Sequence, residues 1–293
     1  QDMRLSKPIL KQLATAYLKI RNTCRYMLGN LNGFETKDMV AYADMVELDQ
    51  WALMRMNDLV AKVREAYDNY EFHAVYRAIY NFCVVDMSNF YLDVIKDRLY
   101  CEEENGNLRR SAQTAMYRIL DAMVRLVSPI LSFTSDEVWK AMPHREGDDL
   151  RNILLNDMPS ADDALLFGEE QMAKWDKLIA IRDDVNKALE KARGAKLIGK
   201  TLEAKVTITA SEASAEFLNT CGQDLAKLCI VSQLTVQTGD GEGDSYEALD
   251  GIKIAVEHIQ GEKCERCWIY DPTVGQNAEH PCLCARCASV VAK

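Results

Sequence analysis

The chain has 293 residues, of which 48% are hydrophobic and 27% charged, and a formal net charge of −10. That length suits about two domains, and the composition excludes an intrinsically disordered or collagen-like chain. No apolar run reaches the roughly 18 residues that a membrane-spanning helix needs, and no cationic, apolar leader opens the sequence.

In chain order, residues 1–31 repeat apolar side chains at Ile9, Leu13, Ala16, Tyr17, Ile20, Cys24, Met27 and Leu31, the spacing of a helix with one buried stripe, ending near Gly29 and Gly33. A second helix carries Leu53, Met56, Val60, Val63 and Tyr67. A third, from about Glu71 to Tyr100, is rich in aromatics and includes Val75, Ile79 and Phe82. The fourth runs from about Leu108 to Pro129, and Thr134-Ser135-Asp136-Glu137 supplies a capping box for a short fifth. Residues 1 to about 142 therefore read as a helical bundle. Residues 142–170 hold eight acids against Arg145 and Arg151, an acidic connector at a domain boundary.

A further helix over Glu169–Arg193 places Trp175, Leu178, Ile179, Val185 and Leu189 on one side. The period then shortens. Alternation over Leu202–Ile208, Leu228–Val236 and Ile252–Val256 predicts short strands around a helix at about 212–226. Five acids and no base over Gly239–Asp250 predict an exposed loop. The fold expected is mainly α: a helical bundle over 1–160, a small α/β domain over 161–260, and a zinc-knuckle segment over 261–293.

The last of these rests on Cys264-Glu265-Arg266-Cys267 and Cys284-Ala285-Arg286-Cys287, the C-x2-C, sixteen residues, C-x2-C spacing of a structural zinc site. Four thiolates around one zinc ion leave no open position for water or substrate. Metal binding of roughly 10–16 kcal/mol orders small segments that have little core of their own. Cys282 permits a C-x-C alternative, and His280 is a second possible substitute ligand. A zinc deaminase would need Pro-Cys-x-x-Cys beside a His-x-Glu; His144-Arg145-Glu146 and Pro281-Cys282 lie far apart, and position 285 is Ala. The remaining cysteines, at 24, 83, 101, 221, 229 and 282, are scattered, most of them in apolar helical stretches, which predicts reduced thiols and a cytoplasmic setting.

Whole-chain charge misleads about nucleic acid, because the acidic connector and loop hold all of the excess. Residues 1–31 carry Arg4, Lys7, Lys11, Lys19, Arg21 and Arg25 against Asp2 alone, enough for a helix to meet phosphates. Arg21 and Arg25 stand one turn apart with Asn22 beside them, suited to one stretch of RNA backbone. The alternative is a network inside the bundle with Glu71, Asp86 or Asp97. Arg266, Trp268 and Tyr270 beside the first knuckle, with Arg286 at the second, are the planar groups on which unstacked bases rest. Equally, Trp268 could pack on the knuckle while the arginines offset the charge of a zinc tetrathiolate. Tyr76, Tyr80, Phe82, Phe90 and Tyr91 are expected in the core.

These residues carry a family resemblance. Arg21-Asn22-Thr23-Cys24-Arg25-Tyr26, Tyr70-Glu71-Phe72-His73, Phe90–Tyr100 and Ser128–Trp139 resemble the anticodon-binding helical domain of class I aminoacyl-tRNA synthetases. Cys264-x-Arg266-Cys267-Trp268-x-Tyr270, His280-Pro281 and Cys284-x-Arg286-Cys287 resemble the C-terminal zinc segment of the bacterial isoleucyl branch. The resemblance covers essentially the whole chain. The His-Ile-Gly-His-like and Lys-Met-Ser-Lys-Ser-like motifs with which the class uses ATP are missing, and the four histidines are isolated.

What the resemblance implies is the C-terminal part of a longer ligase. That part would bind the anticodon stem-loop of isoleucine tRNA, hold one structural Zn2+ on Cys264, Cys267, Cys284 and Cys287, and meet RNA through Arg21, Asn22, Arg25, Arg266 and Trp268. ATP-dependent aminoacylation and editing would belong to absent N-terminal domains, so the piece alone would be inactive and carry no catalytic residue. A start at Gln1, without methionine, agrees with that expectation, and a monomer with no membrane partner is expected. The competing readings are a zinc-stapled structural or protein-interaction module and the same region of a valyl or leucyl enzyme.

Overall fold

In the computed structural model, which describes residues 6–292, the chain divides between Leu166 and Phe167 into two compact units. The first is helical: α1 (Lys7–Asn30), α2 (Glu47–Asp68), α3 (Phe72–Asn81), a π-helical run (Phe82–Tyr91), α4 (Leu92–Val94), α5 (Lys96–Cys101), α6 (Asn107–Val127) and α7 (Ser132–Trp139). The single helix expected from Glu71 to Tyr100 is thus several segments. Inside the π-helical run the Ser88 hydroxyl donates to the Cys83 carbonyl five residues back, at 2.7 Å. A kinked or widened helix is what such side-chain competition produces.

Helix α6 is the axis of this unit. From Ser111 to Val127 it is buried on every side except at Arg118, the pattern of a helix enclosed by others. Ile20, Cys24 and Met27 of α1, Leu53 and Val63 of α2, and Val75 and Ile79 of α3 are buried in the core. Phe82, Phe90 and Tyr91 join them, while Tyr76 and Tyr80 are half-buried. The expected stripe on α1 fails at its first two turns, where Ile9 and Leu13 are exposed, because that end of the helix runs past the bundle and burial begins only at Ile20. Arg4 and Asp2 lie outside the described residues.

A buried ion pair ties four elements together. The Asp49 carboxylate of α2, fully buried, accepts from Arg98 of α5 at 2.6 and 2.9 Å, from the Tyr91 hydroxyl at 2.8 Å and from the Ser111 hydroxyl of α6 at 2.5 Å. Each lone pair of the carboxylate is used, which is the condition under which a buried charge is tolerated.

The predicted capping box at Thr134–Glu137 does not form. Helix α7 starts two residues earlier, at Ser132, and its Asp136 pairs with Lys140 at 2.6 Å and accepts the Ile153 N–H at 3.3 Å. Residues 142–166 are folded onto the helices. Asp148 pairs with Arg125 at 2.7 Å, Arg145 with Asp121 at 2.7 Å, and the Asn57 side chain both donates to and accepts from the Asp162 backbone at 3.1 and 2.7 Å. Ion pairs in both directions and backbone hydrogen bonds therefore fix this segment to the bundle.

The second unit opens with α8 (Glu169–Gly194) and continues as β1 (Ala204–Ala210), α9 (Glu212–Thr220), α10 (Leu225–Cys229), β2 (Gln233–Thr238), β3 (Asp244–Ser245), β4 (Lys253–His258) and α11 (Ala285–Val291). The sheet order is β2-β1-β4-β3, with β1 parallel to β2 and antiparallel to β4. Leu228 and Cys229, expected in a strand, close α10 instead. Asp224 caps that helix by accepting the Lys227 N–H at 3.1 Å, and Ile230 ends it at φ +56°. The acidic loop is also more ordered than its composition suggests: Asp244 starts β3 and pairs with Lys191 at 2.6 Å. At Gly243, with φ +126°, a Cβ would come within 2.6 Å of the Ile254 backbone, so only glycine lets β3 approach β4.

Candidate metal centre and nucleic-acid interface

The two knuckles are built by backbone hydrogen bonds. Trp268 N–H donates to the Cys264 carbonyl at 2.9 Å and Cys264 N–H to the Ile269 carbonyl at 2.9 Å, folding the first turn on itself. Glu265 N–H donates to the Cys282 carbonyl at 3.1 Å, which brings the second turn alongside. Cys284 is the N-cap of α11, and Thr273, whose hydroxyl accepts the Ala285 N–H at 2.9 Å, anchors the start of that helix. The Thr273 role was not legible in the spacing of the cysteines; the only cue is Asp271-Pro272-Thr273, a turn in which Asp271 accepts the Thr273 N–H at 2.8 Å.

The sulfurs of Cys264, Cys267, Cys284 and Cys287 all lie within 4.8 Å of one another. Four thiolates at roughly 2.3 Å from a zinc ion would stand roughly 3.8 Å apart at the corners of a tetrahedron. Cys267 Sγ and Cys284 Sγ, one from each knuckle, are 3.8 Å apart, so the residues present fit the ion. All ten cysteines are free thiols. Cys282 is exposed and turned to Glu265, and neither it nor His280 belongs to the cluster found among the described residues.

The surroundings act on the thiols in opposite directions. Burial works against ionisation of Cys264, but the backbone N–H groups around it at Cys267, Cys284 and Arg266 outweigh it and bring the thiol down to about 6. Burial raises Cys267, and it raises Cys287 to about 11, even though Arg266 donates to the Cys287 sulfur at 3.8 Å. Zn2+ bound at the centre would deprotonate the set.

Of the two readings of Trp268, burial on the knuckle is not what forms. The ring is 58% exposed, with the Lys263 ammonium 5.2 Å from its centroid, and the residue sits at φ +65°. A non-glycine residue in the left-handed region costs about 1–2 kcal/mol. Arg266, in contrast, is half-buried and faces the sulfurs, where it offsets their charge. Tyr270 is fixed to the α/β part of its unit: its N–H donates to Ser232 Oγ at 2.9 Å and its ring meets His258 edge-on at 6.4 Å.

In the first unit, α1 carries Lys7, Lys11, Lys19, Arg21 and Arg25 and no acid. Arg21 is half-buried and pairs loosely with Glu137 of α7 at 3.7 Å, not with the acids expected from sequence; Asp86 is taken by Arg55 at 2.9 Å. Asn22 and Arg25 are exposed, and among the described residues neither makes a hydrogen bond or ion pair through its side chain.

A helical unit that opens with a basic, acid-free helix is followed by an α/β unit that ends in a four-cysteine cluster. Residues 49–208, more than half of the chain, match the family model described as the anticodon-binding domain of tRNA ligase, and residues 261–290 match the zinc finger found in FPG and IleRS. The chain belongs to the anticodon-binding-domain family of tRNA ligases. It is 48% identical over 99% of its length to the isoleucine–tRNA ligase of Syntrophotalea carbinolica, 46% to that of Desulfotalea psychrophila and 45% to that of Geobacter sulfurreducens. The chain spans about a third (31%) of the length of each of these relatives. No helix among the described residues is long and apolar enough to cross a membrane.

Proposed function

We propose that this chain is the tRNA-recognition part of an isoleucine–tRNA ligase, gripping the anticodon stem-loop of isoleucine tRNA, while ATP-dependent aminoacylation and editing reside in the remainder of the parent enzyme. The observation that carries the reading is the family match over residues 49–208 in a chain whose first helix carries basic residues and no acid of its own. Arg25 and Asn22 would take backbone phosphates and sugar or amide contacts, with Arg21 giving up its loose, half-exposed pairing to Glu137. Trp268 would stack on an unpaired base, and Arg266 would hold charge balance at the knuckle. One Zn2+ on Cys264, Cys267, Cys284 and Cys287 would order residues 261–293 as a third domain after 1–160 and 161–260. A monomer working in the cytoplasm completes the proposal.

The test is charge reversal. Each phosphate contact contributes a slope of roughly −0.9 in log K against log salt for duplex and roughly −0.7 for single strands. Arg21→Glu with Arg25→Glu should weaken tRNA binding and reduce the magnitude of the salt slope by about 1–2. Unchanged affinity and slope would remove α1 from the interface and favour the competing view, a zinc-stapled module with no preference for RNA.

A further inference from the structure

Arg118 interrupts an otherwise enclosed helix. Every other residue of α6 between Ser111 and Val127 is buried, whereas Arg118 lines a cavity of about 550 Å³ in the helical unit. The cavity has apolar walls from Met56, Val60, Ala122 and Leu165; Arg145 is a second guanidinium along it, and Asp121 and Asp162 also line it. Among the described residues the Arg118 side chain has no hydrogen bond and no ion pair.

The acids that could have served it are committed elsewhere. Asp121 accepts from Arg125 Nε at 2.9 Å and from Arg145 Nη2 at 2.7 Å, and Asp162 accepts the Ala164 N–H at 3.0 Å as a helix cap. Partial burial pulls the Arg118 pKa below the ordinary arginine value despite the charge of Asp162, and the like charge of Arg145 acts in the same direction as burial. A partly desolvated cation without a hydrogen-bond acceptor is unfavourable, and one that lines a cavity marks a candidate ligand site.

We propose that this cavity binds the phosphate group of a nucleotide between Arg118 and Arg145, with the nucleoside lying against Met56, Val60, Ala122 and Leu165. Two planar guanidiniums suit a tetrahedral, multiply charged oxyanion, which each can meet with paired N–H donors. The volume far exceeds a bare phosphate and leaves room for the attached base and sugar. A free nucleoside monophosphate and a nucleotide of an RNA strand present the same group, so the proposal extends the tRNA reading without resting on it.

The experiment compares wild type with Arg118→Gln and Arg118→Lys at fixed ionic strength, titrating inorganic phosphate, adenosine 5′-monophosphate and a labelled single-stranded RNA hexamer, with a thermal melt of each protein. The expected result is saturable binding of the mononucleotide or the hexamer, weakened at least tenfold in Arg118→Gln and less in Arg118→Lys. The melting temperature of Arg118→Gln should be unchanged or higher, because an unpaired charge has been removed. Binding of the hexamer alone assigns the source as an RNA strand; binding of the mononucleotide assigns a free ligand. Should Arg118→Gln melt early, Arg145→Gln, made at a half-exposed side chain, carries the same affinity test. No saturable binding of any probe, or binding that both Gln variants retain at full strength, overturns the proposal.

Discussion

Trp268 donates its backbone N–H to the carbonyl oxygen of Cys264 at 2.9 Å, and the turn so closed holds the tryptophan at φ +65° with its ring in solvent. Glycine would satisfy the same hydrogen bond without the conformational cost. A large aromatic ring kept where the backbone prefers glycine, and not buried there, points to a task outside the fold. Trp268→Gly should retain zinc and leave the segment as stable or up to about 1–2 kcal/mol more stable. It should nevertheless weaken RNA binding by about 1–3 kcal/mol, the worth of one stacked base. Thermal melts of the metal-loaded protein and tRNA titrations check the two halves; loss of zinc with no change in RNA affinity would make Trp268 purely structural.

The four-sulfur cluster makes a stoichiometric prediction. Purified protein should hold one zinc per chain, removable by chelators together with the order of residues 261–292, since the segment's core is little more than the cysteines with Val274 and Leu283. Cys284→Ala should abolish retention, and Cys282→Ala should leave it intact because Cys282 stands outside the cluster. Metal analysis after gel filtration decides it. Retention in the first variant or loss in the second would reassign the ligand.

Removing one partner of the Asp49–Arg98 pair strands a fully buried carboxylate. Arg98→Met should cost about 3–5 kcal/mol in urea denaturation, and adding Asp49→Leu should restore only part of that, because it removes the stranded charge but leaves the Tyr91 and Ser111 hydroxyls without their acceptor. A small effect of Arg98→Met would mean that water reaches Asp49.

Acid should weaken the helical unit through Asp148 and Asp149. Burial would raise Asp148, but the Arg145 N–H and the Arg125 guanidinium hold it below the usual carboxylate range, and hydrogen bonds from the Arg151 side chain and N–H bring Asp149 to about 2. Both folded values lie below that of the unfolded chain, so their contribution is whole above about pH 4 and is lost as pH falls toward 2. Comparing urea midpoints of wild type and Asp148→Asn between pH 5 and 2.5 isolates the effect, since zinc release is common to both. The variant should show the flatter dependence; parallel curves would contradict the assignment.

The sequence disclosed most where one short-range rule decides the outcome. The cysteine spacing located the clamp, and apolar periodicity located α2, α6 and α8. It failed where several interactions compete for the same residues. Ser88 reaching back to Cys83 widened one long helix into a π-helical run, Thr134 met the Tyr17 hydroxyl and Glu137 paired with Arg21 instead of forming a capping box, and Leu228–Cys229 was drawn into α10 by the Asp224 cap. Ile9 and Leu13 show the same limit, since a perfect apolar stripe does not reveal where its partner ends. At the site, the exposure of Trp268 and the isolation of Arg118 depend on what surrounds them in space, and no spacing encodes that.

The most direct measurement is a titration of the zinc-loaded chain with isoleucine tRNA and with the same tRNA carrying a different anticodon, at two salt concentrations. The account predicts salt-sensitive binding with a clear preference for the native anticodon. Equal binding of the two tRNAs, or none to either, would contradict the claim that this chain recognises the anticodon.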